Sequence, residues 1–154
     1  MFKNKLIALL IGLFAGLIML FQPYKFVVVI GDSMLPTFKS GDILLAKKVD
    51  IVRTGDVVVA YNDYYDKIIK RVVYLPEEYY YYHYVKNDDS PMLIQDNSYK
   101  NIMFWMNLVG NEAIVELKVP KNHYYLLGDN FNNSDDSRRF GTVEKSQIIY
   151  KVIL

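Results

Sequence analysis

The sequence has no cysteine, two histidines and one tryptophan in 154 residues. Without cysteine there is no disulfide, no thiolate metal site and no cysteine nucleophile. Two histidines far apart in the chain, His83 and His123, supply no ligand cluster, so neither a metal nor any other cofactor is expected. An excess of one charge is missing as well. Eighteen basic residues face 17 acidic ones, the net charge is +1, and no basic stripe exists of the kind that phosphate binding needs. That argues against a nucleic-acid partner. Long helical periodicity is also lacking beyond the N-terminus. What remains is a chain long enough for one domain with a real core, or a core plus a small insert.

The one long apolar run lies at the start. After "MFKNK", residues 6–21 ("LIALLIGLFAGLIMLF") carry no charge. The uncharged stretch between Lys5 and Lys25 spans roughly 28 Å as a helix, close to the hydrocarbon thickness of about 30 Å. A cleavable leader would have a shorter apolar region and a small-x-small exit, and "FQPYKF" has no such site. A core helix would have to be apolar on every face. The expectation is a single membrane anchor over residues 1–25. Lys3 and Lys5 before it, against Lys25 alone close behind, place the N-terminus in the cytoplasm and the rest outside.

Short runs rich in β-branched residues follow, each bounded by Gly, Pro, Asn or Asp: "KFVVVI", "DILLAKKV", "DVVVAY", "KIIKRVVYL", "AIVELKV", "HYYLLGDN" and "SQIIYKVIL". They read as strands of a mainly β, antiparallel domain. Residues 77–113 break the pattern, being tyrosine-rich, then polar, then mixed, as in a small inserted subdomain. The run "YYYYHY" suggests aromatic stacking on bases or sugars. It fits better a strand whose alternate rings face core and solvent, because no basic residues are interleaved.

A lone serine in "GDSMLP" (31–36) is a candidate nucleophile, and something must take its proton. Histidine is the usual partner. His83 lies in the tyrosine run and His123 at a strand start, where structural roles are commoner. A lysine can serve only when neutral. Its ordinary pKa of about 10.4 must fall by roughly three units, about 4 kcal/mol, which an apolar site can impose. Lys70 in "KIIKRVVYL" is placed for that. Period-2 alternation puts it on one face with Ile68 and Val72, and Arg71 on the other with Ile69 and Val73. The same pattern fits an ordinary surface lysine on a half-exposed strand, and on periodicity alone that reading is the favoured one.

Four boxes, "GDSMLPTFKSGD" (31–42), "TGDVVVAY" (54–61), "KIIKRVVYLP" (67–76) and "GDNFNNSDDSRRFG" (128–141), stand in order behind the apolar run. Together they resemble the bacterial type I signal peptidases of the short, single-anchor branch. The resemblance implies Ser33 as nucleophile and Lys70 as general base, and so favours the buried reading of Lys70. It implies that the Ser134 hydroxyl orients the lysine amine, that Asp136 and Arg138 brace the loops, and that Met34 packs beside the site. Asp129 takes a structural place. Gly31 stands where some members carry a serine that donates to the oxyanion, which leaves the Ser33 amide as the principal donor.

The implied fold is that of signal peptidases and repressor-type peptidases: an N-terminal transmembrane helix, a catalytic β core from 26–76 plus 119–154, and an inserted β subdomain at 77–118. The implied partners are the signal peptides of exported preproteins, cut after small-x-small sites, and the lipid bilayer of the bacterial cell. Two other readings stay open, a peptidase dedicated to one exported substrate and an anchored binding domain that does not cut.

Overall fold

In a computed structural model, the structure describes residues 5–7, 9–13, 16, 23–83, 92–94 and 114–153. The described residues between 5 and 13 are helical and exposed. Among the described residues, no helix is long and apolar enough to cross a membrane. Much of the expected anchor at 6–21 lies outside them, as do residues 84–91 and 95–113 of the expected insert.

Among the described residues, ten strands form two antiparallel sheets. In chain order they are β1 (Tyr24–Val28), β2 (Ile43–Lys48), β3 (Val57–Asn62), β4 (Asp66–Tyr74), β5 (Tyr79–His83), β6 (Met92–Ile94), β7 (Ile114–Lys118), β8 (His123–Leu127), β9 (Val143–Glu144) and β10 (Ile148–Val152). The larger sheet has seven strands in the order β1-β2-β10-β3-β4-β8-β9, and β6-β5-β7 form the smaller one. The β1–β2 and β3–β4 hairpins are therefore joined through β10, which pairs with β2 on one side and β3 on the other. A one-turn helix, Ser137–Phe140, follows the loop after β8.

The burial of each strand follows its place. In the central β3, Val57, Val58, Val59 and Ala60 are all buried, as the continuous apolar run requires when both faces are covered. In β4, burial alternates from Ile68 to Tyr74, with Ile69, Arg71 and Val73 half-buried. Val58, Ala60, Ile68, Val72 and Leu126 belong to one core cluster, and a tyrosine-rich second cluster holds Tyr74, Tyr80, Tyr82 and Tyr125. The tyrosine run thus behaves as an alternating strand: Tyr79 is exposed, Tyr80 buried, Tyr81 half-buried and Tyr82 buried.

The third cluster joins Val29, Met34, Phe38, Val57 and Val152 beneath the 29–42 connection. At the sheet's edge, among the described residues, β1 pairs only with β2, Phe26 opposite Leu45 and Val28 opposite Ile43, and all four are exposed. Ile30, just beyond, is 89% exposed, so this end of the sheet presents an apolar face directly after the N-terminal run.

Candidate active site

The 29–42 connection is fixed locally before it meets anything else. Leu35 N–H donates to the Asp32 carbonyl (3.1 Å), Phe38 N–H to Met34 (2.9 Å) and Val29 N–H to Asp42 (2.9 Å). Met34 and Phe38 plug the turn into the core below, so Ser33 between them and the cleft has little freedom. Gly31 has φ +85°, where an L side chain costs roughly 1–2 kcal/mol, and its N–H donates to Ser40 Oγ at 3.2 Å. The glycine is thus required by the turn, and its amide is engaged. The Ser33 amide makes no hydrogen bond among the described residues.

Lys70 lies on the buried face of β4, in register with Val58, and is 5% exposed. Its Nζ is 2.7 Å from Ser33 Oγ, in a hydrogen bond across 37 residues. Burial among apolar neighbours lowers its pKa from the ordinary lysine value. The charges of Asp136 and Asp135 push it back up, and Arg138 adds to the lowering. The net direction favours the neutral amine, the form that can accept a proton.

The loop after β8 clamps the serine turn from the other side. Asn130 N–H donates to the Ser33 carbonyl (2.9 Å) and Asn130 Nδ2 to the Asp32 carbonyl (3.0 Å). Gly128 packs so close that a Cβ there would lie 2.5 Å from Ser33 O and 2.2 Å from Ser134 Oγ. Asp136 is fully buried. It takes a fork from Arg138 (Nε 2.8 Å, Nη2 2.7 Å) and the Gly128 N–H at 3.0 Å. Burial alone would raise the Asp136 carboxyl, but those donors outweigh it and hold the pKa below the ordinary value. Arg138 also stacks on Phe131, 3.8 Å from its ring centre.

On the opposite face of β4, Arg71 forks onto Asp129 (Nε 2.8 Å, Nη2 2.6 Å) and donates Nη1 to Gly55 O at 2.8 Å. Thr37 Oγ1 donates to the same carboxylate at 2.5 Å. Burial opposes the Asp129 charge, yet the Arg71 and Thr37 hydrogen bonds keep its pKa low. One strand therefore sends Lys70 to the serine and, from its other face, Arg71 to the loops that hold the serine.

Ser33 and Lys70 open onto a cleft of about 680 Å³ between residues 27–34 and residues 65–70, with Asn133 and Asp135 on its rim. A hydroxyl bonded to a buried amine at such a cleft is the arrangement of a serine hydrolase that needs no histidine. Neither histidine lines the cleft. His83 is buried in β5, and His123 Nδ1 is 2.9 Å from Lys121 O.

The Ser134 hydroxyl departs from expectation. It is buried over Gly128, where it helps to hold the Asp136 charge, and no hydrogen bond joins it to Lys70. Arg71, Thr37, Gly128 and Asn130 were not singled out by sequence. Alternation had already set Arg71 opposite Lys70, but its partner Asp129 is 58 residues on, beyond the reach of any local pattern.

The fold is mainly β and antiparallel, and its cleft brings a serine hydroxyl and a buried amine together. Residues 2–154 match the family model described as "Signal peptidase, peptidase S26". The chain is 36% identical over 142 residues to signal peptidase I of Bacillus caldolyticus, covering 81% of this chain and 75% of that protein. It is 30% identical over 172 residues to signal peptidase IB of Staphylococcus aureus, covering 97% and 88%. A crystal structure of a signal peptidase I from Enterococcus faecalis aligns with a TM-score of 0.40 at 23% identity, over 65% of this chain and 95% of that one. The chain belongs to the S26 signal peptidase family and is a peptidase.

Proposed function

We propose that this chain removes N-terminal signal peptides from exported proteins with Ser33 as nucleophile and Lys70 as general base. The observation that carries it is the 2.7 Å contact between Lys70 Nζ and Ser33 Oγ at the cleft of an S26 chain. Neutral Lys70 takes the Ser33 proton as Oγ attacks the carbonyl of the residue before the cut. The free Ser33 amide receives the oxyanion. The lysinium proton passes to the leaving nitrogen as the C–N bond breaks. Water, deprotonated by Lys70, then attacks the ester, and Ser33 recovers its proton.

The edge position of β1 leaves a strand against which an extended peptide can pair. Val29, Val59 and Ile69 along the cleft suit small side chains at the −1 and −3 positions. In this reading residues 1–25 anchor the chain with the N-terminus in the cytoplasm. The exposed face of Phe26, Val28, Ile30 and Ile43 rests toward the bilayer, and the β6-β5-β7 sheet is the insert of a core made from 26–76 and 119–154.

The test is preprotein cleavage by the detergent-solubilised full chain, with Ser33→Ala and Lys70→Ala variants, with and without EDTA. Loss of about 10⁴-fold or more in each variant, indifferent to EDTA, is expected. Activity persisting in Lys70→Ala would show that Lys70 is not the base. Cleavage of only one preprotein in a panel would mark a dedicated peptidase, and cleavage of none a binding domain.

A further inference from the structure

One side-chain cluster at the cleft has no part in the mechanism above. The tip of the β3–β4 hairpin, residues 62–66, stands at the rim. It is held open by Tyr64 N–H on Asn62 Oδ1 (2.9 Å) and by Asp66 in the left-handed region, φ 59°. That geometry turns Tyr65 into the cleft. Its hydroxyl donates to Asp135 Oδ2 at 2.5 Å, from the far loop 70 residues on. The other Asp135 oxygen takes Arg139 Nη1 at 2.6 Å. Asp135 is next in sequence to Asp136, whose carboxylate points inward to Arg138 and Gly128. Successive carboxylates of one loop are therefore tied in different directions, one to Gly128 and Arg138 and one to the hairpin that carries Lys70.

We infer that Tyr65, Asp135 and Arg139 form a latch across the rim of the cleft, and that Tyr65 and Asp135 are positioning residues for the Ser33–Lys70 reaction. Resting on the function proposed above, the latch has two separable effects. The hydrogen bond fixes the hairpin against the 131–136 loop, so the lysine amine keeps its place relative to the serine. The Asp135 charge acts on Lys70 together with Asp136, which like it favours the lysinium, and Arg138, which opposes it. Tyr65, a neutral phenol whose pKa is raised by its bond to Asp135, adds no charge.

The two effects predict different pH profiles. In full-length protein assayed on a preprotein, kcat/KM should rise with pH through the Lys70 ionisation to a plateau. Asp135→Asn should lower the plateau by about 3- to 10-fold through lost positioning, an effect of the size that a coupled pair shows. It should also move the midpoint down by a few tenths of a pH unit to about one, because the lysinium loses a nearby anion. Tyr65→Phe should lower the plateau similarly and leave the midpoint in place. The double variant should be no worse than Asp135→Asn alone, and Asp135→Glu should restore the wild-type midpoint.

Both residues are partly exposed, so thermal unfolding should be little changed and loss of fold is read separately. Additive plateau losses with an unmoved midpoint would overturn the latch. So would wild-type profiles in all variants. If Ser33→Ala retains activity, the underlying mechanism has failed instead, and that result is distinct from either.

Discussion

At the scale of single residues, Lys70 is where fold and chemistry conflict. Its folded pKa lies below the ordinary lysine value, so between the two the unfolded chain binds the additional proton. Stability should then rise with pH across that interval and be lost on acidification through it. Lys70→Met keeps the volume and removes the charge. It should abolish cleavage while stabilising the fold at neutral pH by about 1–4 kcal/mol, the range seen when buried charges give way to apolar residues. The gain should shrink as pH nears the lysine's unperturbed value, as urea unfolding in a pH series would show. Equal pH dependence in both proteins would mean a solvated lysine. The sequence carried half of this: alternation put Lys70 with Ile68 and Val72, but burial of that face needs the strands on either side of β4, which no window of sequence contains.

Among elements, the loop after β8 does the most with the least chain. Asp136 has no exposure and feeds on an Arg138 fork and the Gly128 amide. Asp136→Ala should leave a guanidinium and an N–H without their acceptor and cost about 3–5 kcal/mol, measurable as a lower urea midpoint. Gly128→Ala tests position more than stability. Of the three close neighbours of its added methyl, the Ser134 hydroxyl can rotate, but Ser134 Cβ at 2.6 Å and the Ser33 carbonyl at 2.5 Å cannot. Pushing the serine turn aside should cost about 10²-fold in kcat, since displacements near 1 Å have that effect. An unchanged kcat would show that the turn is not held by this contact. The strands themselves were legible because β-branched runs between turn residues have few other uses. The boxes carried Ser33, Asp129, Asp136 and Arg138, but the clamp that joins them reaches from Thr37 to Asp129, 92 residues apart.

For the whole molecule, strand order is the feature no local pattern reveals. The sequence pattern shows "SQIIYKVIL" as one more strand. The fold puts β10 between β2 and β3, in the interior of the larger sheet. Removing residues 148–153 should therefore split the sheet instead of trimming it, and a protein so shortened should show no cooperative unfolding transition by calorimetry. A sharp melt near that of the intact protein would place β10 at the margin. The same arrangement sets a clock on activity. The hairpin that bears Ser33 and the hairpin that bears Lys70 are both synthesised long before the strand that splices them, so on the function proposed above a chain still emerging holds nucleophile and base on separate ribbons. On that proposal, proteolytic power should arrive only with the late segment, and prematurely ended products should be silent toward preproteins.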